Sequence, residues 1–228
     1  MKKFNLCTAF ALCGFFTLSN PVQSFCQTDD DFFSDSRTRN SRIDVSIGFG
    51  QNCNLNTFQW AKFKELGPKN NFHMGGGLRL NNLNYRGLLM VAEGSNKSGF
   101  TQFTSSGHVF GVNLMFATEY LYQGKFGLGG NFDLCGIAMG PTSPTYIPSS
   151  EVTPGELGGQ ISSISIREGL DKGRGTLNSE IYGLYKFGKR GWIKAGYSRV
   201  YTDITLNQTV DWFAARTNVF FVGLRLSY

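Results

Sequence analysis

The chain has 228 residues, 41% of them hydrophobic and 14% aromatic, a length that suits one domain and a composition that excludes a disordered protein. Its formal charge of +6 is mild, and discounting Lys2 and Lys3 leaves 20 basic against 16 acidic residues, scattered rather than clustered, which excludes a nucleic-acid-binding surface. No run approaches the roughly 18–20 uncharged apolar residues of a spanning helix, while 29 Gly, 21 Phe and only 6 Pro suit short strands, tight turns and aromatic belts.

Residues 1–26 read as an export signal. Lys2 and Lys3 form a positive start, Leu6 to Leu18 supplies an apolar core, and Asn20-Pro21 ends it, with cleavage following Ser24 or Cys26. Leu12 before Cys13 and Phe25 before Cys26 do not fit a lipidation site. Residues 27–41 are polar and lack a period, so Asp29, Asp30, Asp31 and Asp35 read as a solvated acidic run in a flexible periplasmic segment rather than a calcium loop. Cys7 and Cys13 leave with the signal. The spacing of Cys53, Cys135 and, depending on the cut, Cys26 favours isolated thiols over a Cys26–Cys53 bridge and defines no metal site. No cofactor is expected.

From Arg42 onward the sequence alternates with the period of β-strands. Ile43, Val45, Ile47 and Phe49 oppose Arg42, Asp44, Ser46 and Gly48 in a first strand, and 51–71 reads as a long polar connection. A second strand covers 72–81, a tight turn falls at Asn81-Asn82, and a third strand covers 84–93, apolar on both parities at Leu88-Leu89-Met90-Val91. After a loop at 94–106, two strands flank the short turn Gln123-Gly124-Lys125. The longest connection, 139–175, holds Pro141, Pro144, Pro148 and Pro154 and room for a hairpin at 160–167. Strands at 176–187 and 192–202 flank Gly188-Lys189-Arg190-Gly191, and after a loop at 203–215 the chain ends in N-V-F-F-V-G-L-R-L-S-Y. Phe220, Val222, Leu224, Leu226 and Tyr228 share one parity there.

Eight strands joined by alternately short and long connections predict an all-β, eight-stranded antiparallel up-and-down barrel over 42–228. A soluble lipocalin-like carrier would share the alternation with its faces exchanged. Three features favour the transmembrane arrangement: a nearly uncharged Phe/Leu/Val parity; a strand-end girdle of Tyr85, Tyr120, Tyr122, Tyr185, Trp192, Tyr201, Trp212 and Tyr228; and the aromatic terminus. The leader, the eight amphipathic strands, the loop alternation and the terminal F-F-V-G-L-R-L-S-Y together resemble the small OmpA/OmpX-type outer-membrane β-barrel proteins. That resemblance implies a porin-like architecture in the cell outer membrane, contact with outer-membrane lipid and lipopolysaccharide, and a C-terminal strand (Phe220, Val222, Leu224, Leu226, Tyr228) recognised by the barrel assembly machinery.

The opposite parity supplies the expected lumen charge network: Asp44, Glu119, Asp133 and Glu180 beside Arg79, Arg86, Lys186, Lys194 and Arg225. Pairing inside so narrow a barrel predicts a plugged lumen over a narrow channel. A lipid-modifying enzyme of this shape needs a Ser/His pair, but His73 precedes Met74-Gly75 and His108 precedes Val109-Phe110, with only Ser106 two residues away. Gly75-Gly76-Gly77 reads as a site of close packing or a bend in the wall rather than a phosphate loop. Arg199, Arg216 and Lys172-Gly173-Arg174 fall at the outer rim, within reach of lipopolysaccharide phosphates. The expectation is a non-enzymatic barrel whose extracellular loops, above all 139–175, serve a structural or partner-binding role.

Overall fold

Alternation at period two gives each strand one inward and one outward face, and the first strand obeys it residue by residue. In β1 (Ser41–Gly50), Arg42, Asp44, Ser46 and Gly48 are buried while Val45, Ile47 and Phe49 are exposed. The structure is a computed structural model, and it describes residues 41–66, 71–93, 102–146, 159–161, 163–167, 173–206 and 212–228. The export signal and most of the segment at 27–41 lie outside the described residues.

Eight long strands form the wall: β1, β2 (Cys53–Leu66), β3 (Phe72–Glu93), β4 (Gln102–Tyr122), β5 (Phe126–Met139), β10 (Thr176–Phe187), β11 (Gly191–Leu206) and β12 (Trp212–Ser227). Each pairs antiparallel with its neighbours in that order. The ring closes between β12 and β1, from Arg42 opposite Ser227 to Gly50 opposite Val219. The up-and-down barrel expected from the alternation is therefore borne out.

Besides β4 starting within the expected loop 94–106 and β11 and β12 extending into the expected loop 203–215, two strand assignments differ from expectation, and these two cancel in the count. The segment 51–71 is not a long connection: Gln51-Asn52 is a tight turn, with Asn52 at φ 62, and β2 follows at once. Its apolar face changes sides midway, with Cys53 and Leu55 buried at one end and Phe58 and Trp60 exposed at the other. No single parity is apolar throughout, and so the strand is hidden in the sequence. Conversely, no turn interrupts β3 at Asn81-Asn82. Its apolar run on both parities comes from a bulge between Tyr85 and Leu88, where Gly87 takes φ 60 and shifts the inward parity to Leu88 and Met90. A second irregularity, between Leu114 and Met115, pairs Met115 with Asp133 but Leu114 with Cys135, turning Cys135 away from the Asp133 face.

One end of the barrel carries only short connections, at 67–71, 123–125 and 188–190; the opposite end carries more chain. There the 139–175 region forms β6 (Pro141–Tyr146), β7 (Gly159–Ile161), β8 (Ile164–Arg167) and β9 (Gly173–Arg174). The expected hairpin at 160–167 does not form: β7 pairs with β6 and β11, and β8 with β5 and β9. Because the β1–β2 hairpin is short, β3 and β12 reach past it and pair directly at Val91 and Ala214. A second ring thus closes over that side in the order β3, β4, β6, β7, β11, β12. Its core is apolar and includes Leu88, Met90, Phe103, Ile161, Ile204 and Phe213, with Phe103 and Phe213 edge to face at 4.8 Å.

The girdle is sharper than expected at the short-turn end and absent from three expected positions. Tyr120, Tyr122, Tyr185 and Tyr228 face out beside Trp60, whose Nε1 donates to Tyr228 Oη at 2.9 Å. Tyr85, Trp192 and Tyr201 are instead buried, and the Trp212 side chain lies outside the described ones.

At Gly75 and Gly77 the glycine run lets β3 lie close against the β2 backbone. A Cβ on Gly77 would sit 2.6 Å from Ala61 Cα and overlap the Trp60 carbonyl. Gly77→Ala is therefore expected to destabilise the refolded barrel by about 1–3 kcal/mol. Gly183→Ala, whose nearest atoms would be 4.0 Å away, should cause no loss, and urea titrations followed by tryptophan fluorescence check both.

Candidate functional site

Inward parity over the short-turn half of the barrel collects four acids and four bases into one buried network: Asp44, Glu119, Asp133 and Glu180 with Arg42, Arg79, Lys194 and Arg225. At the β1–β12 seam the register sets Asp44 opposite Arg225. The Arg225 guanidinium donates twice to Asp44, from Nε at 2.6 Å and from Nη2 at 2.7 Å, and its Nη1 donates to Glu119 Oε1 at 2.6 Å. Tyr182 Oη donates to the same Glu119 oxygen at 2.7 Å, and Arg42 pairs with Oε2. Arg42 also lies over the Phe63 ring at 4.1 Å and donates to His73 Nδ1 at 2.8 Å. A guanidinium can only donate, so that nitrogen carries no proton.

Across the lumen, Lys194 Nζ reaches Glu180 Oε2 at 2.8 Å and Asp44 Oδ2 at 3.4 Å, and sits 4.1 Å above the Tyr182 ring. Arg79 Nη1 donates to Asp133 Oδ1 at 2.7 Å, and its Nη2 lies 3.5 Å from Glu180. The second Asp133 oxygen accepts from Asn113 Nδ2 at 2.7 Å and from the Asn178 amide at 2.8 Å. Gln59 and Asn131 both donate to Glu180 at 3.1 Å. The eight charges balance, and the amides fill lone pairs that the ion pairs leave, the condition under which buried charge is tolerated.

Of the residues expected to form this network, Asp44, Arg79, Glu119, Asp133, Glu180, Lys194 and Arg225 meet inside the barrel. Arg86 does not: with β3 unbroken at Asn81-Asn82, Arg86 keeps the outward parity of Leu78 and Leu80 and is exposed. Lys186 has the inward parity but lies at the barrel mouth, its Nζ 5.5 Å above the Trp192 ring. Sequence reasoning missed Arg42, Gln59, His73, Asn131 and Tyr182 as members. Arg42 was visible, two residues before Asp44 on the same face; Gln59 was hidden with the rest of β2.

The exterior inverts this arrangement. Ile181, Leu128, Phe220, Leu224 and Leu226 are 58–73% exposed, while Arg79 and Lys194 are fully buried. A water-soluble protein would lose the burial energy of such an apolar surface, about 25 cal/mol per Å²; lipid makes it the favourable side. An apolar outside around a charged inside, on a closed eight-stranded meander, defines an integral membrane β-barrel of the outer-membrane type. No protein-family model matches the chain, and no curated protein matches it. Among solved structures it is similar to Neisserial surface protein A (8% identity, 82% of this chain and 94% of the other, TM-score 0.41). It is also similar to a major outer membrane protein from Thermus thermophilus (12%, 82% and 99%, TM-score 0.40) and to Ail of Yersinia pestis (14%, 82% and 99%, TM-score 0.31).

Removing one partner of the seam pair leaves charge stranded in the lumen. Arg225→Met is expected to cost about 3–5 kcal/mol of stability. The double variant Asp44→Asn/Arg225→Met should lose less than the sum of the two single changes, a coupling that a double-mutant cycle of denaturant unfolding in detergent would measure.

Proposed function

We propose that the protein is a non-enzymatic barrel of the cell outer membrane, with a plugged lumen, that acts as a structural or partner-binding protein through its far end and especially the 139–175 region. Two observations support this reading. The cavity lined by Arg42, Asp44, Gln59, Tyr182 and Arg225 has no room for a water-sized sphere, and buried apolar residues of the second ring cluster together on the far side. In a plugged barrel, the surfaces left to act are the rim and the strands built from 139–175.

In this reading the short turns face the periplasm and the second ring faces outward. The outward stripe of Phe220, Val222, Leu224, Leu226 and Tyr228 is the form in which the assembly machinery would meet the last strand. Arg174, Arg199 and Arg216 are exposed on the far half, at a height suited to lipopolysaccharide phosphates. The histidines support a non-catalytic role. His108 Nε2 is held by Asn82 Oδ1 at 2.7 Å, Ser106 Oγ accepts the Gly87 amide at 3.0 Å, and His73 is sealed in the lumen network.

The refolded protein is expected to shift its gel mobility on heating, to give no stepwise conductance in planar bilayers and to release no acyl chains from phospholipid or lipopolysaccharide. Conductance steps would overturn the plug, and acyl release lost in His108→Ala would overturn the non-enzymatic reading. A detergent pull-down from the native membrane, read by mass spectrometry, should recover a protein partner.

A further inference from the structure

The outer wall is not evenly filled. Near the short-turn end, β4, β5, β10 and β11 surround a groove of about 580 Å³. Tyr122, Phe126 and Tyr185 line it, Phe126 and Tyr185 with ring centroids 5.4 Å apart. Part of its floor is Gly183, where a side chain would meet nothing closer than 4.0 Å, so the depression exists because that outward position lacks one. An open furrow of this volume, lined by aromatic and aliphatic groups, has the apolar chemistry that an acyl chain needs.

The mouth of the groove is basic. The β4–β5 turn ends in Lys125 and the β10–β11 turn contains Lys189 and Arg190, all exposed, and neither turn holds an acid. The two corners are tied together, since the Lys186 amide donates to the Lys125 carbonyl at 2.8 Å. Three cations therefore stand on the two turns that join the strands lining the furrow, the end at which a membrane-spanning barrel would meet headgroups.

We propose that this groove is a binding site for an anionic phospholipid of the leaflet at the short-turn end, with an acyl chain laid along Gly183 and the headgroup phosphate held by Lys125, Lys189 and Arg190. The inference rests on the membrane reading above. It differs from general lipid contact in predicting headgroup selectivity at one place on the wall.

The test is native mass spectrometry of the refolded full chain in detergent with phosphatidylglycerol and phosphatidylcholine of identical acyl chains. The wild type is expected to retain phosphatidylglycerol preferentially. Lys125→Gln/Lys189→Gln/Arg190→Gln should lower that preference by about fivefold per cation removed, the scale of one basic residue at an anionic surface, without lowering phosphatidylcholine retention. Gly183→Leu, whose Cβ would meet nothing closer than 4.0 Å and whose longer side chain would occupy the furrow, should lower retention of both lipids. Equal retention by the wild type, or a preference unchanged in the triple variant, overturns the headgroup site; retention unchanged in Gly183→Leu overturns the furrow. A chain that fails to enter detergent micelles or liposomes with a heat-shifted mobility overturns the membrane reading itself, an outcome distinct from insertion without selectivity.

Discussion

Closing a sheet into a barrel sets the first and last strands side by side, and here the closure places Asp44 of β1 against Arg225 of β12. The pair is bidentate and buried, and it connects through Glu119 to Arg42 and through Asp44 to Lys194. The rest of the interior is arranged around making those charges tolerable: four of each sign, amides on the spare lone pairs, and aromatic faces under Arg42 and Lys194. A charge lost from this group would strand another, so the network behaves as a unit.

The interior is not uniform along the axis. Its short-turn half holds the ionic network, while its far half holds the largest apolar cluster, enclosed by the second ring of strands. The outer face changes as well. On β2 and β3 the outward positions pass from Phe58 and Leu78 to Asn54, Asn56, Asn82 and Asn84. On these stretches of β2 and β3 the outward face thus turns from apolar to polar midway, while Phe49, Leu89, Val91, Ile137 and Met139 keep other parts of the far wall apolar outside. The shortness of the β1–β2 hairpin makes the switch visible, because β3 and β12 continue above it as the wall of an ordinary apolar core.

That switch also explains how much could be read from the sequence. Where one pattern fills a strand, as in β1, β10 and the second half of β12, alternation located the strand and its inward charges. Where the pattern inverts midway, as in β2, the two halves cancelled and the strand looked like a polar loop. Where a bulge shifts parity, as at Gly87, a continuous strand looked like two. Arg86 was misplaced for that reason alone, since its side depends on counting parity through Asn81-Asn82 without a break. The small strands β6–β9 left no local signal. Each is fixed by partners far away in the chain rather than by its own period.

The seam has a kinetic meaning as well. Asp44 and Arg225 lie 181 residues apart in the chain, whereas β3 and β4 pair across a single connection. Loop-closure entropy favours the long β3–β4 hairpin early and the seam last, once both ends of the meander exist. Until then β1 and β12 are open edges with unpaired backbone groups. A slip of one residue at closure would aim Arg225 at the membrane and Leu224 or Leu226 at the lumen. The same ion pair that fills the finished interior therefore acts during assembly as a register check on the final step.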